Sequence, residues 1–535
     1  MERIVILGGG FGGAYTAMHL VKKFRKRLKA GTIEIILINR ENYFVYQPML
    51  AEVVGGAIGI LDTVSSLSRL LKGCQVYVRE LEWVDLENKK ISMLPKYTHK
   101  SSVIWFTHLV IALGNVTHFK GSSGLHEHAF AFKTLSDALT IRNHIIETME
   151  TAAYQTDIAL KKALLTYVVG GGGFSGTEVI AEIHDLVMRL AKNYSTIDPK
   201  DIRVILVHSK DRLMDREMPR SLTMYAEKLL KKRGIEILFH TKLISATPRG
   251  ALLDNGEKIL SRTVISTVPA AINPLIENMD LPKIHGRVET DASMLVKGTS
   301  CVWAIGDCAH IPDLTKEDAP CPPTAQYAVR QGKVLAHNIY AKMAQQPTKV
   351  FRFQCLGLMA ALGHNSAVAE LFGKIRISGF FAWILWRVVY WIKLPGLSRK
   401  LKVLFSWFLD MIVPIEPVQL KLTPTEGIRS LHYEKEEEIF REGDLGDYLY
   451  ILVKGSVEVW KNGTEKPIAE LHEGEVFGEM SLLNERSRTA TIRCKTPVDV
   501  LAIRKADFGI LIDNFSEMKE KIRATEKERI NKKQS

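Results

Sequence analysis

Gly8-Gly9-Gly10-Phe11-Gly12-Gly13, arriving directly after the apolar run Arg3–Leu7, is the stretch on which the fold turns. A near-copy, Gly171-Gly172-Gly173-Phe174-Ser175-Gly176, follows the apolar run Leu164–Val169 about a domain later. In such a turn the first glycine permits a tight bend, the second a close approach of backbone to a pyrophosphate, and the third a close packing of helix on strand. Gly8, Gly10 and Gly13 fill these roles in the first copy, and Gly171, Gly173 and Gly176 in the second. The helix that follows offers free N–H groups and a positive dipole end to phosphate. Two such units in tandem imply an α/β chain with two Rossmann-like dinucleotide-binding domains, and a flavoprotein fed by a nicotinamide.

The context of each copy sharpens this. Residues 14–29 read as a helix and Ile33–Asn39 as a second strand, completing a βαβ unit. Asn39 stands where a ribose-binding carboxylate is expected, with Glu41 near enough to substitute. Far downstream, Cys301-Val302-Trp303-Ala304-Ile305-Gly306-Asp307 is an apolar strand ending in Gly-Asp. An acid so placed meets the ribityl and pyrophosphate region in many FAD reductases, so FAD is expected at the first site. After the second copy, Glu178 is expected beside the nicotinamide and flavin. The strand Arg203–Val207 ends at His208, where an NAD-preferring enzyme offers an acid, and Lys210 and Arg212 follow. NADH and NADPH both stay open on this reading.

With 535 residues the chain is too long for one core, and three or four domains are expected. Its net charge of +13 resides in two clusters, Lys22 to Lys29 and Lys374 to Lys402, so a uniformly basic nucleic-acid-binding surface is not expected. The first cluster reads as a solvated helix face. Six dispersed cysteines form no C-x-x-C pair, which argues against a disulfide scaffold or a metal site, and no secretory signal is visible, so a reducing cytosol is expected. The second cluster is interleaved with aromatics, in Phe380–Trp386, Val388–Ile392 and Leu404–Leu409. Arg387 and Lys393 interrupt every apolar run short of the ~20 residues that cross a bilayer. Such a segment suits a helix pair lying on an anionic membrane, or a dimer interface.

Asn42-Tyr43-Phe44 with Gln47-Pro48, Ala112-Leu113-Gly114, the two glycine turns, Gly306-Asp307 and Pro322-Pro323-Thr324-Ala325-Gln326-Tyr327-Ala328 occur in one order. In that order, from Met1 to about Pro414, the chain resembles the type II NADH dehydrogenases, single-subunit, non-pumping NADH:quinone oxidoreductases. The resemblance implies that Gln47, Pro48, Ala112 and Gly114 lie along the flavin, that Asp307 binds it, and that Ala325 and Gln326 line the isoalloxazine and quinone region. It makes Glu178 and Gln326 the catalytic candidates, as positioning or proton-relay groups. It also implies a membrane quinone as acceptor, a homodimer, and a peripheral place on the cytoplasmic side of the cell membrane. One departure is Arg330, which stands where the family commonly has a second glutamine; Gln331 is the expected replacement. Sulfide:quinone oxidoreductase is a related alternative and would need Cys308, Cys321 or Cys355 at the flavin. A flavin redox sensor with no enzymatic output is a second.

Beyond Pro417 the sequence turns to short alternating strands and glycine turns, which predicts a β-roll. Phe477-Gly478-Glu479-Met480-Ser481-Leu482 through Arg488-Thr489-Ala490 resembles the phosphate-binding cassette of cyclic nucleotide-binding domains, with Ser487 in place of a frequent proline. Glu479 is expected to accept from the ribose 2′-hydroxyl, Arg488 to neutralise the cyclic phosphate beside Gly478, and Thr489 to meet a guanine amino group, with cAMP and cGMP both open. The expected domains are FAD-binding (1–160 and 286–350), NAD(P)H-binding (161–285), membrane-associating or dimerising (351–415), cyclic nucleotide-binding-like (420–515), and a charged helical tail (516–535).

Overall fold

The computed structural model describes residues 1–504 apart from 95–100, 117–124, 216–217, 248, 268–270, 317–318, 414–417, 420–427, 434, 445–447, 465 and 480–487. The tail at 516–535 and the cassette residues Met480 to Ser487 lie outside the described residues. The chain divides into two compact units, one of Met1–Leu94 and Ser102–Leu420 and one beginning at Lys421.

Two five-stranded sheets organise the first unit. Their strands in chain order are β1 (Glu2–Leu7), β2 (Ile33–Asn39), β3 (Gln75–Val78), β4 (His108–Ile111), β5 (Phe130–Ala131), β6 (Thr166–Gly170), β7 (Arg203–Val207), β8 (Glu236–Leu238), β9 (Thr263–Ser266) and β10 (Val302–Ala304). The first sheet runs β10-β4-β1-β2-β3 and the second β5-β9-β6-β7-β8, all parallel. Ile4, Val5, Ile6 and Leu7 are fully buried, sharing one core with Ala14, Ala17 and Leu20 of the following helix and with Ile91 and Met93 of an antiparallel strand, so no polar side is left for alternation. In each sheet the strand that ends in a glycine turn has neighbours leaving in opposite directions along the order, which places the turn at a topological switch point.

Six helices position the site: α1 (Phe11–Lys23), α2 (Leu50–Gly55), α3 (Phe174–Ala191), α4 (Ala325–Met343), α5 (Phe380–Lys393) and α6 (Leu397–Ile412). Gly12, Gly13, Ala14 and Ala17 are buried on α1. These small residues admit α4, where a Cβ on Gly332 would come within 2.9 Å of the Thr16 nitrogen. An antiparallel three-stranded sheet, Gly357–Ala361, Ala367–Leu371 and Ile375–Gly379, leads into α5 and α6. No helix among the described residues is long and apolar enough to cross a membrane. Instead, α5 and α6 expose Phe381 (76%), Phe405 (62%) and Phe408 (53%) while burying Trp383, Trp386, Trp407 and Arg387. Three of the four tryptophans and one of the expected interfacial cations therefore point into the protein. The aliphatic and phenylalanine side chains supply the outer face.

The second unit contains two four-stranded antiparallel sheets. Ile428–Tyr433, Val498–Arg504, Tyr448–Lys454 and Val476–Phe477 form one; Glu438–Phe440, Thr491–Cys494, Val457–Trp460 and Ala469–Leu471 form the other. Tyr450, Leu452, Val457, Phe477, Ile492 and Val500 belong to its buried core.

Candidate functional site

The first glycine turn begins at the end of β1. Gly8 adopts φ +101°, and a Cβ there would lie 2.3 Å from the Ala112 carbonyl oxygen; one on Gly13 would lie 1.9 Å from the Gly8 oxygen. Gly10 differs in kind, since a Cβ on it would meet nothing within 4 Å. It is the N-cap of α1, with extended backbone and no side-chain cap, so the first N–H groups of the helix stay available to an anion. The second turn repeats these features. Gly171 has φ +110°, a Cβ on Gly176 would lie 1.7 Å from the Gly171 oxygen, and Gly173 is an uncapped N-cap with open space before it.

Asn39 and His208 hold equivalent places and do equivalent work. The Gly9 N–H donates to Asn39 Oδ1 at 2.8 Å, and Asn39 Nδ2 donates to the Glu41 carbonyl at 2.7 Å. The Gly172 N–H donates to His208 Nδ1 at 3.0 Å, which leaves the ring proton on Nε2, facing the Arg212 carbonyl at 3.0 Å. Burial pushes the His208 pKa down, so the imidazole is neutral and both nitrogens are engaged. Each strand-end side chain thus braces its own glycine turn. His208 also lines a cavity of about 560 Å³ in front of this turn, together with Lys210, Asp215, Lys242 and Thr267.

At the flavin side, Ala112 packs against the Gly8 turn, Gly114 takes φ +64°, and Gln47 and Pro48 open a short 3-10 turn with Gln47 exposed and Pro48 half-buried. Asp307 follows Gly306 (φ +72°), and burial raises its pKa against the opposing pull of Lys133 and Arg287. Ala325 is the first residue of α4, after Thr324, and α4 has no side-chain cap. Lys133 Nζ, Asn115 Oδ1 and Thr324 Oγ1 are buried without a hydrogen-bond partner. Orphaned polar atoms of this kind are rare unless a ligand or water serves them. With the open Gly10 cradle they fit a polar cofactor such as FAD.

Gln326 braces the next segment. Its Nε2 donates to Gly357 O at 3.2 Å and lies 3.3 Å from Cys355 Sγ, and its Oε1 accepts from the Leu356 N–H at 3.0 Å. Arg330 donates to the Gln326 carbonyl at 2.9 Å and lies over the Phe353 ring at 4.1 Å. Gln331 does not replace the family's second glutamine. It is 1% exposed, and its Oε1 accepts from the Gly306 N–H at 2.9 Å, so it holds the Gly-Asp turn.

Glu178 sits in the second turn of α3, beyond the reach of a first-turn dipole effect. Its Oε1 accepts from the Ala361 N–H at 3.0 Å, and burial, aided by the Glu52 charge, pushes its pKa up to about 8. It is a protonated acid at neutral pH. One helical turn on, Glu182 is also buried and raised well above the ordinary carboxylate range, first by burial and then by Glu52 and Asp185. Glu52 on α2 is pushed to about 7 by burial against the pull of Arg387; its Oε2 accepts from Trp407 Nε1 at 3.2 Å, and Arg387 Nη2 lies 3.5 Å from Oε1. Asp410, at the end of α6, meets Arg189 at 3.1 Å and Arg387 at 3.9 Å. The expectations from sequence did not include Glu52, Glu182, Arg387 or Asp410 as a group. One signal was present: Glu182 follows Glu178 by one turn of the same helix.

The thiols weigh against sulfide chemistry. All six cysteines are free. Burial pushes Cys308 up to about 11 and Cys321 to about 12, which keeps both as unreactive thiols.

In the second unit, Arg488 is 4% exposed and turned onto its own backbone. Its Nη1 donates to Gly478 O and its Nη2 to Tyr448 O, both at 2.6 Å, and its guanidinium lies 4.1 Å from the Phe440 ring centre. Gly478 has φ +83°, and a Cβ there would lie 2.5 Å from Arg488 Nη1, so both the backbone and the arginine require glycine. Glu479 is buried beside it and Thr489 is exposed.

Comparison with known proteins agrees with this geometry. Residues 2–332 match the pyridine nucleotide-disulphide oxidoreductases, residues 355–413 the NDH2 C-terminal domain, and residues 430–515 the cyclic nucleotide-binding domain. The type II NADH:quinone oxidoreductase NdhA of Mycobacterium tuberculosis is 29% identical over 424 residues, 76% of this chain and 86% of that protein. Demethylphylloquinone reductase NdbB of Synechocystis sp. is 30% identical over 411 residues, 76% of this chain and 95% of that protein. The structure of NDH2 from Plasmodium falciparum in complex with NADH superposes with a TM-score of 0.71 at 20% identity, over 78% of this chain and 99% of that one. The chain belongs to the pyridine nucleotide-disulphide oxidoreductase family, with the C-terminal domain of its NDH2 members and a cyclic nucleotide-binding domain beyond it.

Proposed function

We propose that the chain is an FAD-dependent NADH:quinone oxidoreductase of the type II, non-pumping kind. The observation that carries this reading is the pair of glycine turns, each opening an uncapped helix at the end of the central strand of its own parallel sheet. The relatives named for NADH:quinone oxidoreduction support it over most of the chain's length.

Gly8, Gly10, Gly13 and the start of α1 would hold the FAD pyrophosphate. Gln47, Pro48, Ala112, Gly114 and Ala325 would lie along the ring system, and Asp307 would bind the chain that joins them. When bound, FAD accepts hydride from NADH and passes two electrons to a quinone. Gly171, Gly173 and Gly176 would hold the NADH pyrophosphate, with His208 keeping Gly172 in place. Converting NADH, a proton and quinone to NAD⁺ and quinol requires one proton beyond the hydride. Glu178, protonated at neutral pH, holds one beside the nicotinamide site and is the proposed donor. Gln326 acts through position, fixing residues 355–357 against the start of α4.

The exposed apolar face of α5 and α6 supports peripheral attachment to the membrane that holds the quinone, on its cytoplasmic side, with homodimerisation as the proposed assembly. The second unit is proposed as a β-roll that binds cAMP or cGMP and tunes turnover or docking. The primary test is anaerobic stopped-flow reduction by NADH and by NADPH, followed by mixing with a water-soluble quinone. Fast bleaching of flavin absorbance by NADH and fast quinone-driven recovery are expected. No bleaching by either nucleotide ends the dehydrogenase reading, and bleaching without recovery moves the acceptor elsewhere. Repeating the measurement with each cyclic nucleotide tests the regulatory role.

A further inference from the structure

Beside the middle of α4, α1 and α4 border a cavity of about 670 Å³ whose wall carries no carboxylate. α1 contributes Lys22 and Lys23, α4 contributes Arg330 and Lys333, and the segment after α4 contributes Lys349 and Arg352. None of these six cations forms an ion pair with a carboxylate among the described residues. Two are held by aromatic faces instead: Lys23 Nζ lies 5.1 Å from the Tyr340 ring centre and Arg330 lies over Phe353. A π face steadies a cation without consuming its N–H donors. His19 and His337 complete the polar wall, and burial followed by the nearby lysines depresses both, so neither adds charge at neutral pH. Lys393, at the end of α5, stands close enough to Arg330 for the two charges to repel.

Six like charges around one concavity repel one another, and a surface selected only for solubility intersperses acids among them. Such a wall gains most from a compact multivalent anion. Lysine and arginine donors converging on one hollow suit phosphate oxygens. We propose that this cavity is a polyphosphate site, taking a ligand with two or more phosphate groups, separate from both dinucleotide sites. The chemistry is shared by a soluble nucleoside polyphosphate and by the bridged phosphates of a dianionic lipid headgroup. The first helix of the pair proposed to attach to the membrane ends at Lys393, near Arg330, which makes the lipid one source to test.

The test uses the full-length flavin-loaded protein saturated with NAD⁺, so that the nicotinamide site is filled. Calorimetric titration with inorganic tripolyphosphate at low ionic strength is expected to show one saturable site per chain, weakened by salt. Lys23→Glu with Lys333→Glu, both exposed, is expected to weaken binding by about tenfold or more. Arg25→Glu with Lys29→Glu changes the net charge equally outside the cavity and is expected to leave affinity unchanged. Absence of saturable binding, or equal weakening by the two pairs, overturns the proposal. Vesicles of phosphatidylcholine with cardiolipin, against vesicles of equal charge made with phosphatidylserine, separate the sources. A cardiolipin preference lost in the cavity variant assigns the headgroup; no preference, with tripolyphosphate binding intact, assigns a soluble polyphosphate.

Discussion

Replacing Glu178 by Gln tests whether burial really keeps this side chain a neutral acid. A glutamine has the same shape, keeps an oxygen for the Ala361 N–H, and cannot ionise. A carboxyl raised to about 8 in the folded protein from 4.5 when unfolded supplies stability at low pH that is lost as pH climbs from the unfolded value through the folded one. Between about pH 6 and about pH 9 that loss amounts to about 3 kcal/mol from Glu178 alone. Glu178→Gln is therefore expected to exceed the wild type by about 2 kcal/mol near about pH 6 and by about 5 kcal/mol near about pH 9, a gap that widens by about 3 kcal/mol. The assay is urea unfolding followed by release of flavin fluorescence, which reports on the first unit, at both pH values. The difference between the two proteins cancels the contributions of Glu52 and Glu182, whose pKa values burial also raises. Parallel loss of stability by the variant and the wild type would refute the assignment.

Three further outcomes follow from the geometry. Gly13→Ala is expected to yield protein without flavin, whereas Gly176→Ala is expected to retain flavin absorbance and resist bleaching by NADH, since the new Cβ would fall 1.9 Å from the Gly8 oxygen in the first and 1.7 Å from the Gly171 oxygen in the second; absorbance spectra with and without NADH check both. Arg387→Met leaves Glu52 and Asp410 without a shared cation and is expected to cost about 3–5 kcal/mol in urea unfolding, with part regained on adding Glu52→Gln. Arg488→Lys loses the paired bonds to Gly478 and Tyr448 and is expected to lower the melting temperature of the second unit with no nucleotide present, by calorimetry.

The glycine turns were legible because sterics leave no other residue at Gly13 or Gly176, so the sequence is forced to display them. Glu178 was placed by its distance from the second turn, and Asp307 by the apolar strand that ends in Gly306-Asp307. Asn39 and His208 were placed by strand-end position, but their hydrogen bonds back to Gly9 and Gly172 were not legible, because these depend on side-chain direction that spacing does not encode. The aromatic segment misled in another way. Arg387 among tryptophans reads as an interfacial cation, and only the folded chain brings Glu52, more than 300 residues away, and Asp410 to meet it. Burial of charge is a tertiary property, and the same composition serves a wet interface or a dry ion pair. Gln331 was likewise misplaced by a single position, since one residue along a helix turns a side chain by about 100°.

The Arg387 contacts carry a practical consequence for any attempt to test the proposed membrane attachment by altering the helix pair. Cutting the chain before α6 would strip Trp407 and Asp410 from their partners and strand Glu52, Arg387 and Arg189 in the interior. A truncated form is therefore a poor test of the proposed attachment. The separable part of the hairpin is its outer skin, Phe381, Phe405 and Phe408, which can be made polar while the inner ion pairs stay closed.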